Sequence, residues 1–416
     1  MALPKKPVTG MKDILPAEME IRDYVQKAVR DVYGKFGFTE IETPAVEHIE
    51  NLTSNQGGEN EKLIFRILKR GEKLNLENAK DSSDLTDSGL RYDLTLPLSR
   101  YYAAHMNELP SPFKALQMGN VFRADRPQKG RFRQFMQCDI DILGDDSNLA
   151  EIELISATTT LLTHIGFEGF TVKISDRRIL KAMASYSGFP EEEYDRVFII
   201  LDKMDKIGIE GVKEELLKAG YGEDNVKRYL KLFDGQKTDS EAIEELKNVL
   251  KDHLPEGTAE SLKSIIDCID SSKTGNFNIS FDPTLVRGMS YYTGTIFEIT
   301  IDEFGSSIAG GGRYDGMVER FTGNKVPACG FSIGFERIIT ILLDRGFKVP
   351  GKEKKTAFLI DKKIDGERLI AIMKEAAEKR KEGNTVLCAR MMKNKKFQKD
   401  NLENAGYTDI EEFFYN

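Results

Sequence analysis

The chain has 416 residues, 40% of them hydrophobic and 31% charged, with a formal net charge of −8 at pH 7. That length fits two or three packed domains, and the composition is that of a soluble globular protein, excluding collagen-like and disordered classes. The acidic total excludes a protein that coats nucleic acid non-specifically, while leaving room for a local basic patch. No window of about 18 uncharged apolar residues occurs, so no membrane-spanning helix is expected. MALPKKPVTGMKDILP lacks the apolar centre of a secretion signal. The four cysteines (Cys138, Cys268, Cys329, Cys388) and the four histidines are dispersed. That pattern fits free thiols in a reducing cytoplasm and no metal centre.

Along the chain, Ile21, Tyr24, Val25, Ala28, Val29 and Val32 have helical spacing, predicting a helix from Pro16 to Tyr33. FTEIETPAV follows as a short strand whose Pro44 suits an edge or a bulge. Residues 70–88 are charged and Ser/Asp-rich, and read as a loop or hairpin insertion. From Leu90 to Leu143 the apolar period becomes two. RYDLTLP then reads as a strand with Arg91, Asp93 and Thr95 on one face. FRQFMQCDIDIL places Phe135, Gln137, Asp139 and Asp141 on one face, with Met136, Cys138, Ile140 and Ile142 on the other. A sheet built this way has an apolar back and a polar front able to bind a ligand.

Residues 176–274 read as a helical insertion; Leu262, Ile265, Ile266 and Ile269 keep i, i+3, i+4, i+7 spacing. Strands return at NFNISF and GTIFEITI. After the basic linker KVPGKEKK, strand TAFLI, a helix over 366–381, strand TVLCAR, a Lys-rich helix and a last short strand alternate as in a small α/β domain.

Four segments carry the chemistry: RYDLT; NVFRADRPQKGRFRQFMQCDID; LVRGMSYYTGTIFEI; and AGGGRYDGMV followed by ACGFSIGFERI. None is a dinucleotide or phosphate-loop fingerprint, so a nucleotide would have to be held by side chains, chiefly arginines, on a sheet. In this order the segments resemble the histidyl-tRNA synthetases, a class II aminoacyl-tRNA synthetase family. NVFRADRPQKGRFRQFMQCDID is similar to motif 2 of that class, and GFERI to motif 3. The early helix, strand and Pro44 resemble motif 1, at the family's dimer interface.

The resemblance implies an α+β fold: a class II antiparallel sheet flanked by helices, with a helical insertion and a small C-terminal α/β domain. It sets the catalytic domain at 1–175 and 275–345, the insertion at 176–274, and a shortened anticodon-binding-like domain at 355–416. It also implies a homodimer that uses histidine, ATP, Mg²⁺ and tRNA(His). Arg123 is then expected at the α-phosphate and the histidine carboxylate, Arg287 at the α-phosphate as the main catalytic side chain, and Arg337 at the γ-phosphate. Fixed guanidinium groups suit a reaction that brings a carboxylate to a polyanion.

Phe135 is expected on adenine, with Asp125 and Arg131, in or beside the motif 2 loop, also binding ATP. Asp93, Thr95 and Gln137 are expected at the α-amino group. Asp141 and Tyr292 should read the two imidazole nitrogens, one a donor and the other an acceptor. Tyr291 has a binding or packing role, and Gly310, Gly311 and Gly312 allow close backbone approach. Ser290 stands where the family often has an acidic residue. From residue 351 onward, 15 Lys plus Arg outnumber 12 Asp plus Glu. The cluster Lys393, Lys395, Lys396 and Lys399 is therefore a candidate contact for tRNA phosphates. The competing reading is a non-catalytic relative that serves as the regulatory subunit of ATP phosphoribosyltransferase in histidine biosynthesis. Retention of Arg123, Arg287, Arg337 and a C-terminal unit ranks it below the ligase.

Overall fold

The computed structural model describes residues 3–53, 62–81, 83–126, 132–233, 240–286, 291–351 and 355–415. The elements, in chain order, begin with α1 (Pro16–Lys35), β1 (Thr39–Ile41), β2 (Val46–His48), α2 (Ile49–Thr53), β3 (Arg66–Leu68), β4 (Thr86–Leu90) and α3 (Thr95–His105). Then come β5 (Phe113–Phe122), β6 (Gln134–Leu143), α4 (Leu149–His164), β7 (Phe170–Asp176), α5 (Arg177–Ser187), α6 (Tyr194–Leu201) and α7 (Met204–Lys218). They are followed by α8 (Glu223–Lys231), α9 (Ser240–Leu250), α10 (Thr258–Ser272), β8 (Phe277–Phe281), β9 (Thr295–Ile301), β10 (Ser306–Arg313) and α11 (Gly316–Thr322). The last are β11 (Ala328–Ile333), α12 (Phe335–Asp344), β12 (Lys355–Ile360), α13 (Gly366–Lys381), β13 (Thr385–Arg390), α14 (Lys395–Asn404) and β14 (Asp409–Phe413). Contacts group residues 1–13 with 25–345 into one unit, and 14–24 with 346–416 into a second.

The first unit is built on an eight-stranded sheet in the order β1-β5-β6-β11-β10-β9-β7-β8. From β5 to β7 every neighbour is antiparallel, while β1 and β8 add a parallel strand at each edge. Cross-strand partners share a face. Gln117 and Gly119 of β5 therefore lie on the same side as Gln137, Asp139 and Asp141 of β6, Gly330 and Ser332 of β11, and Gly310 of β10. On the reverse, Cys138, Ile140 and Ile142 oppose Ile333, Phe331 and Cys329, all fully buried. The alternation in QCDIDIL thus gives an apolar back and a polar front.

Parallel neighbours β7 and β8 require a crossover connection, and the helices α5–α10 form it. Their local signals are plain. The Asp176 side chain accepts the Arg178 N–H to start α5, and Gly188 ends it in the left-handed region at φ 86°. Leu262, Ile265, Ile266 and Ile269 of α10 are all buried.

Two strand readings from the sequence are corrected. RYDLTLP is not a strand: β4 ends at Leu90, residues 91–94 form a turn, and α3 starts at Thr95. The reason is local, since the Asp93 carboxylate accepts the Leu96 N–H at 3.2 Å and Pro97 sits early in the helix, where its missing donor is not needed. Asp93 and Thr95 therefore do not share a strand face. FTEIETPAV is two strands rather than one, because Pro44 separates β1, at the edge of the large sheet, from β2 in a small sheet ordered β2-β4-β3. β3 and β4 pair antiparallel, and the described residues between them, 69–81 and 83–85, fit the expected loop or hairpin insertion.

In the second unit β12 is the central strand, parallel to both β13 and β14. Phe358, Ile360, Ile364, Ile372, Ala376 and Val386 form its apolar cluster. The Asn394 side chain caps α14 by accepting the Phe397 N–H. Among the described residues no helix is long and apolar enough to cross a membrane.

Candidate active site

Two adjoining lobes open on the polar front of the large sheet. The outer lobe encloses about 320 Å³ and is lined by Arg123, Asp125, Phe135, Ser307, Glu336 and Arg337, among others. The inner lobe, about 70 Å³, is lined by Asp93, Thr95, Asp139, Asp141, Tyr291, Tyr292 and Tyr314. Arg123, Gln137, Gly310 and Ser332 belong to both walls, so the lobes share a boundary.

The lining follows from strand periodicity and from two strand ends. Phe135, Gln137, Asp139 and Asp141 are alternate residues of β6, which delivers a ring to the outer lobe and carboxylates to the inner one. Arg123 leaves the end of β5; its Nε donates to the Tyr92 carbonyl at 2.9 Å, and its guanidinium lies 5.0 Å from the centre of the Phe135 ring. Arg337, on the first turn of α12, donates to the Ser307 carbonyl and to Ser307 Oγ at 3.1 Å. Glu336 beside it accepts the Met136 N–H at 3.2 Å. The turn after β4 brings in Asp93, and Thr95 opens α3.

Glycines make room for these groups. A Cβ on Gly330 would stand 2.0 Å from Asp141 Oδ1. Gly311 and Gly312 are demanded by the neighbouring strands, since a Cβ there would meet the Gly330 and Thr295 carbonyls at 2.1 and 2.5 Å. Only Gly310 of the three lines both lobes.

The two lobes differ in charge. Among the described residues, Asp93, Asp139 and Asp141 face a single guanidinium, Arg123, in the inner lobe. Burial pushes the Asp141 carboxyl up to about 7; the Tyr314 hydroxyl, donating to Oδ1 at 2.6 Å, opposes that rise, and the Asp93 charge adds to it. Asp139 is raised by burial and by Asp141, against the hydrogen bond from Ser332 Oγ. Asp93 is raised by burial, against the Leu96 N–H and Arg123. Burial likewise raises the Tyr291 and Tyr292 phenols, whose rings lie 4.6 Å apart.

Asp141 Oδ2 and Gln137 Oε1 are buried and accept no hydrogen bond from the described residues. Two unsatisfied acceptors in one small acidic lobe are costly unless a donor-rich ligand pairs with them. The outer lobe instead offers two guanidinium groups and an aromatic face, suited to a nucleotide.

The structure thus brings Asp93, Thr95, Arg123, Asp125, Phe135, Gln137, Asp141, Tyr291, Tyr292 and Arg337 to one pair of lobes. Arg131, Arg287 and Ser290 lie outside the described residues. The sequence motifs gave no role to Tyr314, Glu336 or Gly330, and put Asp139 on the polar face without one. Asp139 was visible as part of the β6 alternation. Tyr314 was not, because it follows the end of β10 and its ring sits in an apolar cluster with Leu98, Tyr102 and Phe113. In the second unit the lysine cluster is partly used internally: Lys399 pairs with Glu412 at 2.5 Å and Lys395 lies 4.3 Å from the Phe414 ring centre. Lys393 and Lys396 are exposed.

Known proteins resemble this chain over most of its length. The family model described as histidyl-tRNA synthetase matches residues 10–338. A histidine–tRNA ligase of Leifsonia xyli subsp. xyli is 42% identical over 98% of this chain and 95% of its own. One from Bacteroides fragilis is 39% identical over 80% of this chain and 75% of its own. The crystal structure of histidyl-tRNA synthetase from Nostoc sp. PCC 7120 superposes with a TM-score of 0.80 at 27% identity, covering 98% of this chain and 90% of that one. A Bacillus halodurans structure described as an ATP phosphoribosyltransferase regulatory subunit/histidyl-tRNA synthetase shares the fold, with a TM-score of 0.80 at 21% identity and full coverage of both chains. With most of its length matched by the family model and a relative 42% identical along nearly the whole chain, the chain belongs to the histidyl-tRNA synthetase family of ATP-dependent ligases.

Proposed function

We propose that this protein activates histidine with ATP and transfers the histidyl group to tRNA(His), with the amino acid in the inner lobe and ATP in the outer one. The observation that carries the assignment is the pair of buried, unpaired acceptors, Asp141 Oδ2 and Gln137 Oε1, beside Arg123 on the shared wall. An imidazole N–H satisfies the first and an ammonium the second, and Arg123 then faces the carboxylate of the same molecule. Tyr292 faces the other imidazole nitrogen, Tyr291 packs beside it, and Asp93 with Thr95 completes the ammonium site. A pocket polar at both nitrogens rejects apolar isosteres by leaving its own groups unpaired, at about 1–3 kcal/mol per group.

In the first step a carboxylate oxygen of histidine attacks the α-phosphorus, and the bond to the bridging oxygen breaks to release pyrophosphate. Arg123 offsets charge at the α-phosphate, with Arg287 assigned beside it by resemblance. Arg337 takes the far end of the triphosphate, Phe135 stacks on adenine, and Asp125 and Arg131 flank the chain of phosphates. Mg²⁺ bound with ATP would neutralise phosphate charge; it commonly uses one or two carboxylates plus phosphate oxygens, and among the described residues Asp125 and Glu336 are the carboxylates on this wall. A ribose hydroxyl of the tRNA end then takes the histidyl group and releases AMP. Residues 1–175 and 275–345 act as the catalytic domain with 176–274 inserted. Residues 355–416 contact the anticodon arm, two chains work as a dimer, and the enzyme acts in the cytoplasm.

The test is ATP–pyrophosphate exchange with purified protein, comparing histidine with the other amino acids. Exchange that depends on histidine alone supports the reading. Its absence, under conditions that sustain a related ligase, removes it and returns the regulatory-subunit reading to first place.

A further inference from the structure

Asp93 enters the inner lobe from a turn that contributes no strand or helix of its own, yet the carbonyls of both its chain neighbours are held by side chains of β5 and of the residue that follows it. The Tyr92 carbonyl accepts Arg123 Nε at 2.9 Å, and the Leu94 carbonyl accepts Gln117 Nε2 at 3.1 Å. At the head of the turn, the Arg91 N–H donates to the Ala45 carbonyl and the Arg91 carbonyl accepts the Phe122 N–H, both at 2.9 Å.

The Arg91 side chain is only 6% exposed and lines neither lobe. Its guanidinium donates to the Asn120 carbonyl at 3.0 Å, to the Thr43 carbonyl, and to Thr43 Oγ1 at 3.2 Å. One fork therefore joins the end of β5, the segment between β1 and β2, and the Asp93 turn. A lysine could not reproduce it, because a single ammonium lacks the planar set of donors. The seat for this fork is Gly119, where a Cβ would stand 2.2 Å from Nη2.

We infer that Arg91, seated over Gly119, is a positioning residue that fixes the Asp93 carboxylate for the amino-acid substrate. The inference rests on the ligase reading for its substrate but not for its geometry. Gly119→Ala is the cleanest perturbation, because the added methyl meets the far end of a flexible side chain and should displace it without unfolding the strand.

The experiment compares full-length wild type, Gly119→Ala, Arg91→Lys and the double variant. Its readouts are KM for histidine, KM for ATP in pyrophosphate exchange, and amide hydrogen exchange of peptides spanning residues 91–96. The expected result is a rise in histidine KM of at least about tenfold in each single variant, the loss typical of one charged hydrogen bond. ATP KM should stay within about twofold, and the double variant should be no worse than the poorer single. Exchange should quicken in 91–96 and in the segments around Thr43 and Asn120 that the same guanidinium holds, and not elsewhere. The inference is overturned if Gly119→Ala leaves both histidine KM and exchange unchanged, or if both substrates lose equally. If wild type shows no histidine-dependent exchange, the ligase reading fails by itself, and hydrogen exchange still decides whether Arg91 holds the turn.

Discussion

Asp141→Asn should make the protein more stable at alkaline pH and a poorer binder of histidine. The carboxylate is 2% exposed, and burial moves its pKa from 3.8 to about 7. A raised carboxyl pKa means that the folded state holds a proton which the unfolded chain has released. The contribution of Asp141 to wild-type stability therefore falls as pH rises from about 4 to about 7, then levels off. The gap corresponds to about 4 kcal/mol above pH 7. Asparagine keeps an acceptor for the Tyr314 hydroxyl and removes the charge, but burying its amide without a partner costs about 1–3 kcal/mol. The expected net gain at pH 8 is therefore about 1–3 kcal/mol, with some further relief at Asp139, whose carboxyl Asp141 helps to raise.

The slope is a cleaner quantity than the size, because the amide cost cancels from it. The stability difference between variant and wild type should grow by about 1.4 kcal/mol per pH unit between pH 4 and 7 and be flat above. Reversible urea unfolding from pH 4.5 to 8.5, followed by tyrosine fluorescence, measures it. Histidine KM at pH 8 should rise about 10- to 100-fold with ATP KM unchanged, the loss of one charged hydrogen bond. A difference that does not vary with pH would show that Asp141 ionises like an ordinary surface carboxylate and would refute the reasoning.

Three other perturbations probe neighbouring links. Gly330→Ala puts a methyl 2.0 Å from Asp141 Oδ1; steady-state kinetics should show a histidine KM raised at least about tenfold and an ATP KM little changed. Phe135→Ala removes a ring expected on the base; at about 1–3 kcal/mol per stacked base, ATP KM should rise roughly 5- to 150-fold while equilibrium dialysis finds histidine affinity retained. Glu151→Gln strikes the buried pair in which Arg313 donates to both Glu151 oxygens at 2.7 Å while also holding the Asp145 and Ser147 carbonyls. Breaking it should cost about 3–5 kcal/mol in urea unfolding, and a loss under 1 kcal/mol would mean the pair is not a structural clamp.

Much of the site was legible because β6 writes its face into the sequence. In FMQCDIDIL a carboxylate or amide at every second position can only be a strand with one polar side, and Gln137, Asp139 and Asp141 do line the lobes. The helices of 177–272 were legible for the same kind of reason, since Leu262, Ile265, Ile266 and Ile269 repeat at the helical period. RYDLTLP misled because its alternation is short, and a side-chain bond from Asp93 to the Leu96 N–H outweighs a two-residue period over five residues.

What the sequence by itself determined is therefore local: which segments form strands and helices, which face of β6 is polar, and, through its ordered motifs, membership of the family. What only the tertiary structure decided is which distant residues meet. Register across β5, β6, β11 and β10 sets Gly330 opposite Asp141 and Ser332 opposite Asp139, and chain packing brings the Tyr314 hydroxyl to Asp141 across 173 residues of sequence. No periodicity encodes such pairs, because each depends on how separate strands align. The carboxyl's shifted acidity follows from the burial that this alignment produces.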